Sequence, residues 1–116
     1  MHELGVTFTV IKRVEEVAKE NNVKHVSKVT LSLGEVSTVI KEQLIDCWNW
    51  AVKNKSEILY GATLDVEQIP AITYCEDCKG EYSTVKYGKT CPYCNSKNTW
   101  LKQGNEFIIK DITVDE

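Results

Sequence analysis

Proline is scarce in this 116-residue chain, at two residues, no apolar run approaches the length of a membrane span, and basic charge is not in excess. Lys and Arg number 14 against 17 Asp and Glu, a formal net charge of −3, so no global positive field draws the chain onto phosphate. A bilayer needs about 20 consecutive apolar residues, and the N-terminus lacks the basic-then-apolar layout of a secretory signal. The expectation is a cytoplasmic protein with neither membrane nor nucleic acid among its partners. Histidine is also sparse, at two residues. No Ser-His-Asp set, phosphate loop or second histidine cluster points to catalysis, and the chain reads as no enzyme. Low-complexity tracts are missing too. At 42% hydrophobic and 27% charged the composition excludes disorder, and the length allows one domain, or a small domain plus a subdomain too short to bury a core unaided.

What is present begins with periodicity. Over residues 4–20 apolar side chains recur at spacings of three and four (Leu4, Phe8, Ile11 and Val10, Val14, Val17), one stripe of an amphipathic helix. The β-branched opening Val6-Thr7-Phe8-Thr9-Val10 alternates like a strand, and Asn21-Asn22 supplies a stop. Val29, Leu31 and Leu33 alternate with polar residues, predicting a strand broken by Gly34. Leu44, Ile45, Trp48, Ala51 and Val52 predict a second helix over 41–53, and Trp48 and Trp50, two apart, cannot both face a core. A strand around Leu64 and Val66 closes at Pro70, and a last strand after Gly104 is expected to rejoin the sheet of residues 26–34 and 63–69.

Residues 71–100 change character, with four cysteines and few aliphatic side chains. Cys75-Glu-Asp-Cys78 and Cys91-Pro-Tyr-Cys94 each aim two thiolates at one point from a tight turn. Two such turns make a tetrahedral sulfur site for a structural Zn²⁺ with no position open to substrate. An iron–sulfur cluster or a dithiol redox pair are the alternatives. Gly80, and Asn95 after the second pair, suit the turn geometry. Five lysines and no arginine stand against three carboxylates over residues 71–105, a surplus that four thiolates on Zn²⁺ cancel, so phosphate contacts would be few. Tyr74, Tyr82, Tyr87, Tyr93 and Trp100 read as packing for this segment rather than as stacking platforms. Cys47 reads as a small apolar residue of the second helix, His25 as a surface residue, and Glu35 as an exposed loop carboxylate.

The chain starts Met1-His2-Glu3. A large second residue is expected to leave Met1 in place with a free α-amine, which sets the amine, the His2 amide and the His2 imidazole in one short chelate. A further amide at Glu3, or a side chain folded back, completes four in-plane donors, an arrangement suited to Ni²⁺ or Cu²⁺. Taken alone, these residues equally describe a solvated terminus.

Met1-His2-Glu3 at the start, Leu33-Gly34-Glu35 after the first strand, the two Cys-x-x-Cys pairs and Gln103-Gly104-Asn105-Glu106-Phe107 before the last strand together resemble the HypA/HybF family of hydrogenase nickel-incorporation proteins. The likeness spans the chain. It implies a nickel metallochaperone: Ni²⁺ carried as transient cargo by His2 and Met1, Zn²⁺ held as a structural ion by Cys75, Cys78, Cys91 and Cys94, and delivery with a GTPase partner to the [NiFe]-hydrogenase large subunit. Some members also serve urease, through urease accessory proteins. It implies an α+β fold, two helices packed on a three-stranded mixed sheet with an inserted four-cysteine zinc-ribbon-like domain, in a monomer or weak homodimer. Residues 1–70 plus 101–116 would form the nickel-binding domain and 71–100 the zinc-binding one. Some relatives add a loop carboxylate to nickel; Ser37-Thr38-Val39-Ile40 offers none here, leaving Glu3 as the nearest substitute. The rival reading is a zinc-ribbon module that binds protein or nucleic acid, and the third is a thiol redox protein.

Overall fold

A helix opens the described chain, which in this computed structural model covers residues 3–115. The order is α1 (Glu3–Glu20), β1 (Val26–Gly34), α2 (Lys41–Asn54), β2 (Thr63–Ile69), β3 (Ile72–Cys75), β4 (Glu81–Ser83), the one-turn α3 (Thr84–Tyr87), β5 (Thr99–Gln103) and β6 (Phe107–Val114). The strand-like alternation at the start of α1 yields to helix because Val6, Val10, Ile11, Val14 and Ala18 bury one helical face. Thr7 and Thr9 satisfy their hydroxyls by donating to the Glu3 and Gly5 carbonyls, at 2.8 and 3.0 Å. Asn22, at φ 58°, ends the helix as expected, with the Val23 N–H donating to the Ala18 carbonyl.

Two units emerge. The first runs to Ser32, continues over Thr38–Glu67 and resumes from Ile108. Its strands line up in the order β2-β1-β6, so the last strand does rejoin the sheet, beside β1. Val10 and Val14 of α1, Val29 and Leu31 of β1, and Leu44 and Trp48 of α2 are all buried, which makes this the aliphatic core of the protein. Trp48 is fully buried and donates its indole N–H to the Ala62 carbonyl at 2.9 Å, whereas Trp50 is 48% exposed. The helical period of 3.6 sends residues two apart to different faces.

His25, just before β1, sits between two acceptors. Its Nδ1 lies 2.5 Å from Asp115 Oδ2 and its Nε2 lies 2.9 Å from the Tyr60 carbonyl. A neutral imidazole carries one N–H, and only the imidazolium donates to both. The Tyr60 carbonyl foremost, then the Asp115 carboxylate, hold the His25 pKa above its usual value. A raised pKa stabilises the fold fully below the unfolded value of about 6.5, and that contribution is lost as pH climbs through the folded value. Proton NMR titration is expected to place His25 above 6.5 and to show a downward shift in Asp115→Asn. A value at or below 6.5 in the native chain would refute the two-acceptor clamp.

The second unit comprises Leu33–Ser37 and Gln68–Phe107. Its sheet has the order β4-β3-β5, both pairings antiparallel, with Thr73 opposite Tyr82 and Tyr74 opposite both Glu81 and Trp100. The sequence pattern did not disclose these three short strands or α3. Period-two alternation turns Thr73, Cys75 and Tyr82 inward, and Tyr74 and Trp100 to the other face, where their rings lie 5.3 Å apart. The hydrophobic centre is therefore Cys75, Tyr82 and Cys91. The expectation that the aromatic residues pack the unit holds in part: Tyr82 is buried and meets Tyr87 edge-on at 6.0 Å, while Tyr87, Tyr93 and Trp100 stand exposed.

Candidate metal centre

Each Cys-x-x-Cys pair folds as the same loop. In the first, the Lys79 N–H donates to the Cys75 carbonyl and the Cys75 N–H to the Gly80 carbonyl, both at 2.9 Å; in the second, Asn95 donates to Cys91 and Cys91 to Ser96, again at 2.9 Å. The residue after the second cysteine takes the left-handed conformation in both, Lys79 at φ 65° and Asn95 at φ 60°. The expectation that Gly80 supplies this conformation is thus corrected by one position. Gly80 leaves room instead: a Cβ there would lie 3.0 Å from the Tyr93 ring and 3.4 Å from Cys78 Sγ, so the exposed ring would have to shift.

Folding this way aims backbone N–H groups at sulfur. Asp77 and Cys78 donate to Cys75, Gly80 to Cys78, and Ser96 to Cys94. The Tyr93 N–H reaches Cys91 Sγ at 3.4 Å. Such donors favour thiolate over thiol. The two loops are tied together by Asp77, whose carboxylate accepts from the Ser96 hydroxyl and from Asn98 Nδ2.

All four sulfurs lie within 4.8 Å of one another, with Cys75 Sγ 3.6 Å from Cys94 Sγ and Cys78 Sγ 3.6 Å from Cys91 Sγ. Zinc–sulfur bonds of about 2.3 Å give a tetrahedral edge near ~3.8 Å, so the donor set fits a zinc ion in type, number and spacing. Electrostatics points the same way. Backbone donation from Cys78, then from Asp77, lowers the Cys75 thiol to about 7. Cys94 is pushed up to about 12: the Ser96 N–H opposes the change, but desolvation and the crowding thiols of Cys75, Cys91 and Cys78 outweigh it. One sulfur ionises readily and the last resists, a conflict that a divalent cation removes. Cys75 and Cys91 are buried and Cys78 and Cys94 exposed, so one edge of the cluster is reachable from water.

Cys47 lies half-buried on α2, apart from the cluster. Glu3 occupies the first turn of α1, and its Oε2 accepts from the Ile40 N–H at 2.9 Å. That bond caps α2, whose N-cap residue, Ile40, has no side chain to do so. Met1 and His2, the other members of the expected nickel set, lie outside the described residues. Glu35 is exposed as expected, but it also has a partner the sequence did not announce: Oε1 accepts from the Ala71 N–H at 2.9 Å. Among the described residues no helix is long and apolar enough to cross a membrane.

Comparison with known proteins gives a consistent answer. Residues 1–114 match the family model described as "Hydrogenase/urease nickel incorporation, metallochaperone, hypA". Hydrogenase maturation factor HypA of Trichodesmium erythraeum is 34% identical over 116 residues, covering 100% of this chain and 97% of its own. Hydrogenase maturation factor HybF of Morganella morganii is 27% identical over 112 residues, 97% of each chain. The solution structure of the Ni metallochaperone HypA from Helicobacter pylori aligns with a TM-score of 0.71 at 28% identity, over 98% of this chain and 97% of that one.

Proposed function

This chain belongs to the HypA family of hydrogenase/urease nickel-incorporation metallochaperones, and from that premise we propose that it is a non-catalytic carrier that takes up one Ni²⁺ at its N-terminus and passes it on. The observation that carries this reading is a family match that begins at residue 1 and so takes in Met1 and His2. The Met1 amine, the His2 amide and the His2 imidazole supply nitrogen donors suited to square-planar Ni²⁺. Because Glu3 Oε2 is engaged by Ile40, Glu3 joins through its backbone amide, with its side chain anchoring the segment to α2.

In this reading Cys75, Cys78, Cys91 and Cys94 hold a structural zinc. Four protein donors leave no place for water or substrate, so the ion supplies folding energy and no catalysis. The working division keeps residues 1–70 plus 101–116 for nickel and 71–100 for zinc, except that Leu33–Ser37, residues 68–70 and residues 101–107 go with the four-cysteine unit. Delivery is to the [NiFe]-hydrogenase large subunit in the cytoplasm, with a GTPase partner, and a urease branch runs through urease accessory proteins; the carrier works as a monomer or weak homodimer.

Equilibrium dialysis of untagged chain against Ni²⁺, wild type beside His2→Ala, tests the assignment. One equivalent is expected for wild type and near none for the variant. Stoichiometric binding retained by His2→Ala would place the cargo elsewhere.

A further inference from the structure

Two motifs are absorbed by neither metal site: Leu33-Gly34-Glu35 and Gln103-Gly104-Asn105-Glu106-Phe107. The fold brings them together. Residues 33–37 span the end of β1 and the start of the lead-in to α2, yet they group with the four-cysteine unit, as do 68–71 and 103–107. The Gly34 N–H donates to the Glu106 carbonyl at 2.8 Å, Glu35 N–H to the Ile69 carbonyl at 2.8 Å, and Val36 N–H to the Gly104 carbonyl at 2.9 Å. The acidic side chains close the arrangement. Glu35 Oε1 accepts from the Ala71 N–H at 2.9 Å, and Glu106 Oε1 from the Gly104 N–H at 2.7 Å.

Sterics explain the glycines. A Cβ on Gly34 would fall 2.0 Å from the Gly104 carbonyl oxygen, and one on Gly104, at φ 121°, would fall 2.4 Å from Ala71 Cα. Three backbone passes stack here with only the Ala71 methyl beside them. Ala71 is 1% exposed and has its carbonyl taken by the Thr84 N–H at 3.1 Å, so it is held from both sides. It leads directly into β3, which ends at Cys75, and β5, which ends at Gln103, pairs with the same strand.

We propose that these motifs form a buckle that makes the end of β1 and the lead-in to α2 part of the metal-dependent folding unit. Metal that folds the unit must strengthen every hydrogen bond made within it, including those of residues 34–36, which are far in sequence from the four clustered cysteines. Glu35 is the positioning residue, because it ties that lead-in to Ala71. The proposal rests on the reading that the four cysteines hold zinc.

The test is hydrogen exchange on the full chain, zinc-loaded and metal-free, with zinc content measured in each sample. Zinc is expected to slow exchange of the 34–36 amides at least tenfold, together with those of β3 and β4. Protection confined to β3 and β4 in zinc-loaded protein would overturn the buckle and leave the zinc reading intact. Failure to bind zinc would overturn both. Gly34→Ala is expected to disrupt the stack and the fold with it, so Glu35→Ala is the decisive variant. It should keep one zinc and a protected β4 while the amides of Val36 and Ala71 exchange at least tenfold faster. Unchanged exchange at both amides in that variant would refute the role of Glu35.

Discussion

Cys91→Ser is expected to unfold the four-cysteine segment while leaving both long helices in place. The unit's hydrophobic centre is Cys75, Tyr82 and Cys91, and two of these three are sulfur donors. Burial of one aromatic ring contributes only ~2 to 3 kcal/mol, whereas a structural zinc site supplies on the order of 10 kcal/mol or more. If the cluster holds zinc as proposed, loss of the fully buried Cys91 thiol therefore removes most of what orders the segment. The first unit has its own aliphatic core, with Leu44 and Trp48 fully buried.

Limited trypsin digestion with mass spectrometry reads the outcome directly. Cleavage after Lys79, Lys86, Lys89 and Lys97 should accelerate by orders of magnitude in Cys91→Ser, or in wild type stripped of metal. Helical circular dichroism should change little, since α1 and α2 contribute 18 and 14 residues against four for α3. Equal resistance of those lysine sites with and without metal would show that the unit does not depend on the ion.

Nickel affinity is expected to collapse on acidification and on extension of the N-terminus. The ordinary pKa values of an α-amine and an imidazole are about 7.7 to 8.0 and about 6.5, and both groups must shed their protons to bind. Each displaced proton costs about tenfold in affinity per pH unit below its pKa. Between about pH 7.5 and pH 5.5 the amine and imidazole alone account for a loss of roughly 1000-fold, and displaced amide protons steepen it further. Acid thus favours release. An N-terminal tag converts the amine into an amide and should abolish tight binding at any pH. Isothermal titration across pH, tagged beside untagged, checks both statements. Undiminished affinity in the tagged chain would exclude the Met1 amine as a donor.

Much of this was legible in the residues. Spacings of three and four marked α1 and α2, and a period of two marked β1, because each element buries one continuous face and burial imprints its geometry on the chain. The two Cys-x-x-Cys pairs announced a four-sulfur site for a similar reason: the spacing encodes a turn, and the turn encodes where sulfur points. Short strands left no such imprint. β4 has three residues and β3 four, too few for alternation to stand out.

Local chemistry, then, was the sequence's to determine: helix faces, the four clustered cysteines, and the motifs spread along a chain that belongs to the HypA family. Tertiary structure alone decided which residues meet across long separations. It handed the left-handed turn to Lys79 rather than Gly80, engaged Glu3 with Ile40, set His25 between Asp115 and Tyr60, and stacked Gly34 on Gly104. These pairings depend on the summed path of the intervening backbone, and no residue carries a record of that path in its neighbours.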